Sequence, residues 1–349
     1  MKRSPLVSVV IVNWNGLKLL TDCLKTLAKI SYPNIELIVV DNGSTDGSVA
    51  FVKKQYPKSK IVQCKTNLGF AKANNLGVDK ATGEYILFLN NDTKVPKNFL
   101  EPLVEALDTN PAWGLVQPKI VLPNGQKIDS VGSYLTDSGF LYHFGYYKSP
   151  EDKLFKKQRP IYSAKGACML ARHDLLKKIG VFDESFFAYF EETDLCHKVW
   201  LSGYQVWYVP GSLIYHLGGE TSNRLPSAFV QYHSFKNRLW VLTKNLELNN
   251  LLMIVPINII LCLAAVMMYL VKGHWRLSIA ILKSLWWYIT NIEMIINQRK
   301  LVQNKLRKVS EKQYWQMIYQ ELDIKYLYLL FSGLDRMPIR YYYKYQPKV

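Results

Sequence analysis

Apolar runs of strand length alternate with helix-length amphipathic stretches from residue 6 onward. Residues 7–12 are β-branched apart from Ser8, the pattern of a strand buried on both faces, and residues 17–30 carry apolar positions at helical spacing. A second strand at 36–40 runs into Asp41-Asn42-Gly43-Ser44-Thr45-Asp46-Gly47, turn chemistry that leads to a helical stretch at 49–55. Residues 61–64 read as a third strand, 70–80 as a helix and 85–89 as a fourth strand. This alternation predicts an α/β fold, doubly wound, with a mainly parallel sheet. After about residue 110 the pattern loosens. Residues 131–165, rich in Gly, Tyr and Ser, read as loops and short antiparallel strands around a cleft. A strand at 166–172, a helix at 174–179 and a helical segment opening at Glu191-Glu192-Thr193-Asp194 follow.

Two apolar segments stand apart near the C-terminus. Residues 251–271 hold no charge and are long enough to span a bilayer, although Pro256 and Asn258 weaken that reading. In residues 277–296, Leu277, Ile281, Leu285, Tyr288, Ile289, Ile292 and Ile296 share one helical stripe, which predicts an amphipathic helix.

Charge sharpens this division. The chain has 349 residues and a formal charge of +17, of which residues 231–349 supply +11 (17 Lys and Arg against 6 acids). Basic charge beside Trp-rich apolar sequence points to an anionic membrane surface more than to nucleic acid, and no nucleic-acid motif is present. The aromatic-basic interleaving at Tyr341–Tyr345 is brief. Five scattered cysteines without a CxxC pair fit a reducing compartment. The basic, apolar N-terminus lacks a small-residue cleavage site and is interrupted by Asn13 and Asn15, so it reads as a buried strand and not a signal peptide. At 49% hydrophobic and 20% charged, the chain is too apolar to be disordered.

Ligands in open α/β sheets bind beyond the carboxyl ends of the strands. Here those ends carry Asn13-Trp14-Asn15, Asp41-Asn42 and Asn90-Asn91-Asp92, three polar tips on one edge. No GxGxxG follows the first strand and no GxxxxGK[ST] occurs, so a dinucleotide site and a P-loop are disfavoured. Asp92 is either an ordinary turn residue or a carboxylate that holds a divalent metal against a diphosphate. Asp41 is either an Asx-turn or an acceptor for a base or ribose. Glu191, Glu192 and Asp194 either favour a helix N-terminus or supply a general base. His216 is either a structural histidine or a metal ligand.

The strings VSVVIVNWNG, VVDNGSTDGS, NLGFAKANNLG, GEYILFLNNDT and the long block from Lys165 to Gly219 resemble glycosyltransferase family 2 in order and in combination, over about residues 5–245. They are most similar to its bacterial rhamnosyltransferase and galactofuranosyltransferase branch. The resemblance implies a GT-A fold, a nucleotide-diphospho-sugar donor, a divalent metal (Mg²⁺ or Mn²⁺) and inversion by single displacement. It places Asn13, Asn15, Asp41, Asn67, Asn90 and Asn91 on the nucleotide-sugar side, Asp92 and His216 at the metal, Glu192 as catalytic base, and Glu191 and Asp194 toward the acceptor. Asn90 stands where the family's DxD motif has its first carboxylate, and Glu192 where many members have Asp.

Three regions are therefore expected: a catalytic domain over 1–245, membrane-associating helices over 246–298 and a basic Tyr-rich tail over 299–349. The enzyme is expected at the cytoplasmic face of the cell membrane, acting on a UDP- or dTDP-sugar and a glycan or lipid-linked acceptor. The two apolar segments are expected to lie in the interface or re-enter it in preference to crossing the bilayer as a hairpin, with a buried helical hairpin or a homodimer interface as the options away from a membrane. A nucleotidyltransferase and a non-enzymatic basic binding protein are the competing functions.

Overall fold

β1 (Val7–Asn13), β2 (Ile35–Asp41), β3 (Lys60–Gln63) and β4 (Tyr85–Leu89) form the parallel half of a mixed sheet in the computed structural model, which describes residues 3–218 and 225–321. Between them run α1 (Leu17–Leu27), α2 (Ser48–Gln55) and α3 (Phe70–Val78). Successive residues of a strand face opposite sides of the sheet. Val9, Ile11 and Leu87 accordingly pack with α1 on one side, while Val10, Ile86 and Phe88 pack on the other.

The second half of the sheet departs from the loosened pattern read in the sequence. After β5 (Thr93–Lys94) and α4 (Leu100–Thr109) comes β6 (Trp113–Val121), a fully buried strand. Its Gln117, Pro118 and Lys119 disguise it as a loop. Gln117 is consumed structurally: its amide donates to Ser130 Oγ at 3.2 Å and its carbonyl accepts from Lys165 N–H at 2.6 Å. Short strands follow: β7 (Ile128–Ser130), β8 (Ser133–Leu135), β9 (Leu141–His143) and β10 (Arg159–Pro160). β11 (Cys168–Arg172), α5 (His173–Ile179), α6 (Glu191–Leu201) and β12 (Gln205–His216) complete the core. The strand order is β10-β12-β6-β11-β4-β1-β2-β3, with β5 on β12 and β7 on β6, and β8–β9 form a separate hairpin.

Among the described residues five α-helices follow: α7 (Ser227–Asn245), α8 (Leu248–Val271), α9 (Trp275–Thr290), α10 (Ile292–Leu301) and α11 (Glu311–Ile318). α7 escapes a hydropathy reading because its buried face carries Lys236, Asn237, Arg238 and Lys244. Other elements supply the partners. Lys244 Nζ lies 3.0 Å from both Asp183 and Asp194, and Asn245 donates to Asp194 at 2.8 Å. Breaking a buried ion pair from one side strands the other charge and typically costs about 3–5 kcal/mol. Asp183 keeps Lys244 paired when Asp194 is removed, so Asp194→Ala is expected to lose less than that, about 1–3 kcal/mol in chemical denaturation as Asn245 loses its acceptor, and no measurable loss would mean that α7 is not anchored there.

The stripe expected over 277–296 is not one helix. α9 and the helical segment after it meet at 64°, and Asn291 at the break turns its amide to Trp287 O at 2.9 Å. Such a side-chain bond competes with the helix ladder. The stripe is also divided between two faces: Ile281 and Tyr288 point inward, while Ile292 and Ile296 are exposed. Of the tail over 299–349, residues 322–349 with Tyr341–Tyr345 lie outside the described residues, as does Gly219.

Candidate active site

β1 and β4 are neighbours although α1, β2, α2, β3 and α3 lie between them in sequence, and this change of direction leaves a crevice at their carboxyl ends. A cavity of about 360 Å³ opens there. Trp14 and Asn42 line it from the ends of β1 and β2, and Asn90, Asn91 and Asp92 from the end of β4. Phe187, Tyr189, Glu191 and Glu192 form the facing wall, with Lys165 and His216 between.

Asp92 and His216, far apart in sequence, are brought together by a short ladder. β5 pairs with the end of β12 so that Thr93 faces His216, and Leu217 N–H donates to Asp92 O at 3.0 Å. His216 Nε2 then lies 3.3 Å from Asp92 Oδ1, a buried oxygen without a hydrogen-bond partner in the structure. The other ring nitrogen, Nδ1, is 2.7 Å from Asp129 Oδ2, and Lys165 Nζ bridges both Asp129 oxygens at 2.7 and 2.8 Å. Burial alone would raise the Asp129 pKa, but His216 and Lys165 outweigh it and hold the carboxyl at about 2. Burial alone would lower the imidazole pKa, and the hydrogen bond to Asp129 with the nearby charge of Asp92 raises it instead. With Nδ1–H directed at Asp129, Nε2 faces the cavity beside Asp92. This is the tautomer that metal-ligating histidines adopt.

An orphaned buried carboxylate oxygen beside an oriented imidazole fits a divalent cation, which binds readily through few protein groups when a diphosphate supplies the remaining oxygens. Among the described residues no cluster of three or more His, Cys, Asp or Glu side chains is placed to hold a metal alone.

The facing wall is built under strain. Tyr189 and Phe190 both hold left-handed backbone angles, φ 72° and 70°, just before α6. Such residues typically cost about 1–3 kcal/mol each and persist only where surroundings enforce them. Asn237 of α7 donates to Ala188 O at 2.9 Å and Tyr189 O at 2.7 Å, and Arg238 stacks between Phe140 and Phe190. Gly69 completes the clamp: Phe70 N–H bonds Phe187 O at 2.7 Å, so close that a Cβ on Gly69 would lie 2.3 Å from that oxygen. The turn sets Glu191 and Glu192 on the first residues of α6. Burial raises the Glu191 pKa well above the usual carboxylate range, with the charge of Glu192 adding to it, and burial raises Glu192 as well.

Asn67 also lines the cavity, where Asn42 donates to its Oδ1 at 2.9 Å. Asn13 and Asp41 do not line the cavity; they border a separate small crevice. Asn91 donates to Asn13 Oδ1 at 2.7 Å, and Ser44 N–H donates to Asp41 Oδ2 at 3.2 Å, leaving Asp41 Oδ1 unpaired. Asn15 does not line the cavity either; its Oδ1 accepts from Thr45 N–H at 2.8 Å. Asp194 does not join this group. Two residues along a helix rotate a side chain by about 200°, so Asp194 points away from the cavity that Glu192 faces and is spent on Lys244 and Asn245. The sequence reading gave no role to Asp129, Lys165 or Asn237: Lys165 opens the long family-like block but nothing there singles it out, no motif marks the other two, and each acts by contact with a distant element.

Residues 8–180 match the family model of glycosyl transferase family 2. The chain is 24% identical over 231 residues to the N-acetylglucosaminyl-diphospho-decaprenol L-rhamnosyltransferase of Mycobacterium tuberculosis (strain CDC 1551 / Oshkosh), covering 60% of this chain and 75% of that one. Its fold is similar to that of the mannosyltransferase PcManGT from Pyrobaculum calidifontis in complex with GDP-Man and Mn²⁺ (TM-score 0.54, 18% identity, 82% of this chain and 88% of that one). It is also similar to GalNAc-T7 with UDP, GalNAc and Mn²⁺ (TM-score 0.56, 18% identity, 70% of this chain), of which it spans 48%.

Proposed function

The chain is a family 2 glycosyltransferase with a GT-A fold, and from that premise we propose that it moves a sugar, with inversion, from a nucleotide-diphospho-sugar to a hydroxyl of a lipid-linked or cell-surface glycan. One observation carries the reading: Asp92 and Glu192, which lie 100 residues apart, line one cavity.

In this reading Glu192 takes the proton from the acceptor hydroxyl as its oxygen bonds the anomeric carbon. The bond from that carbon to the diphosphate breaks on the opposite side, and the nucleoside diphosphate leaves. Asp92 and His216 hold a divalent metal, Mg²⁺ or Mn²⁺, which when bound neutralises the charge on the leaving diphosphate. Asp129 fixes the His216 ring and Lys165 keeps Asp129 ionised. Asn13, Asn15 and Asp41 address the base and ribose, Asn67, Asn90 and Asn91 the rest of the donor, and Glu191 borders the acceptor side. Phe187 and Tyr189 shield the reacting centre from water.

The donor class is a UDP- or dTDP-sugar. dTDP-rhamnose is the first to test, because a rhamnosyltransferase is among the relatives. The site of action is the cytoplasmic face of the cell membrane, where such donors and a lipid-linked acceptor meet. A ligand that binds only the folded state stabilises it by about 2.7 kcal/mol at 100 times its Kd. A panel of nucleotide-sugars followed by melting temperature, with and without Mn²⁺, should therefore yield a metal-dependent shift for one donor class and release of the matching nucleoside diphosphate. If no donor shifts the melt and pyrophosphate is released from a nucleoside triphosphate instead, the chain transfers nucleotides and this reading falls.

A further inference from the structure

The C-terminal helices are more apolar outside than inside. α8 turns Asn258, Cys262 and Ala265 toward the protein, yet every exposed residue from Leu252 to Val271 is apolar. α9 turns Ser278 and Ser284 inward, while Trp275, Ile279, Leu282 and Trp286 face out, the last 68% exposed. Helices on a water-facing surface show the opposite arrangement. We propose that this outward face of α8 and α9 is a docking surface that lies flat in one leaflet of an anionic bilayer, without crossing it. The inference rests on the reading that the enzyme works at a membrane, and it adds which face docks and how.

Hydropathy alone makes α8 a candidate span: at 24 residues it is about 36 Å long, enough to cross. Its contacts argue otherwise. Asn258, near the middle of the helix, donates to Ser138 O at 2.8 Å. Gly139 beneath it holds φ +74°, and a Cβ there would meet Leu242 at 2.7 Å and Asn258 at 3.0 Å. A crossing helix would drag that polar loop to the bilayer centre, where unpaired backbone groups are costly. The chain also returns at once. Ser278 Oγ donates to Val266 O at 3.0 Å, Tyr288 pairs with Thr243 of α7 at 2.8 Å, and Lys308 N–H bonds Leu201 O at 2.7 Å. Both ends of the helical region are thus fastened to the same side of the molecule.

Charge selects the occupant. Residues 248–300 carry five Lys and Arg against one acid, and Lys272, Arg276 and Lys283 are exposed around the apolar stripe. A twofold contact with a second copy would set this basic rim against itself. Anionic headgroups complement it, and indole rings such as Trp275 and Trp286 favour the headgroup level. α7 links the docked face to chemistry: it carries α9 through Tyr288 and Trp287, and its Phe229 and His233 pack on Phe187 of the cavity wall. An acceptor held in the leaflet by a lipid is thereby presented beside the cavity.

The test is flotation of the full chain with vesicles of mixed phosphatidylglycerol and phosphatidylcholine. The chain should float with them and float less with phosphatidylcholine alone. The double variant Ile260→Glu/Trp286→Glu should lower partitioning by more than about 100-fold, since each removes a large apolar side chain from lipid and adds a charge. Its melting temperature should match that of the parent chain, because both positions are exposed. Lys272→Cys in a Cys64→Ser background should react with an impermeant maleimide added outside the vesicles. Protection of that cysteine until the vesicles are opened would show that α8 crosses. No flotation, with light scattering showing a dimer that the double variant splits, would show that the face joins two copies. The shift in melting temperature given by UDP and Mn²⁺ is read separately, so docking and donor binding can each fail alone.

Discussion

Glu192→Gln is expected to lower the rate of sugar transfer by about 10²–10⁴-fold, the usual contribution of a positioned general base, while leaving donor affinity within about a factor of two. The amide keeps the size of the side chain and cannot take the acceptor proton. The proposed donor-binding residues lie on the Asp92 side of the cavity, so on that proposal calorimetric titration of donor in the presence of Mn²⁺ should be little changed. The parent enzyme supplies a matching pH signature. Burial raises the Glu192 pKa, so the base becomes ionised only at higher pH than an ordinary glutamate, and the rate should rise with pH through that elevated value. The stability contribution runs the other way: the folded protein holds these protons more tightly than the unfolded chain, so it is fully present at low pH and is lost as pH rises through the folded pKa values of Glu191 and Glu192. Activity gained while stability declines is the expected pair of trends. Near-normal turnover in Glu192→Gln would remove the residue from the mechanism.

Asp92→Ala is expected to act on a different quantity. Loss of a side chain that merely orients a metal ligand costs 10–100-fold in metal affinity or activity. Loss of a ligand itself should weaken Mn²⁺-dependent donor binding by about 100-fold or more, while metal-free donor binding stays the same. Folding separates this from general damage. Asp92 Oδ1 is buried without a hydrogen-bond partner but lies 3.3 Å from His216 Nε2, so removing the carboxylate both relieves an unsatisfied group and takes a charge partner from His216, and the melting temperature of the metal-free protein should change little. Equal donor affinity in parent and variant, measured with metal by calorimetry, would overturn the metal role of Asp92.

The first four strands were legible because each is a short, mainly apolar run of strand length bounded by turn residues, and the polar tips at 13–15, 41–42 and 90–92 could be assigned to one edge from topology alone. β6 was not legible, because its Gln117 and Lys119 are polar groups satisfied by partners elsewhere in the chain, Gln117 by Lys165 and Lys119 by Pro150 O at 3.1 Å. α7 was hidden for the same reason, its Lys244 answered by Asp183 and Asp194. Asp194 was misplaced because a run of acids at a helix start looks uniform in sequence, while helical rotation sends its members to different faces.

What the amino-acid order determined was the kind of fold and the chemical inventory: parallel strands from period and length, a polar edge from strand-end residues, family membership from ordered motifs, and an apolar, basic C-terminal third from composition. What only the tertiary structure decided was which of those groups meet. The β5–β12 ladder sets His216 beside Asp92, the clamp of Asn237 and Gly69 turns Glu192 toward the same cavity, and Asn258 binds a loop that keeps α8 against the protein. Local sequence reports the preferences of neighbouring residues. The pairing of distant ones is set by packing and hydrogen bonding, and those exist only once the chain has closed on itself.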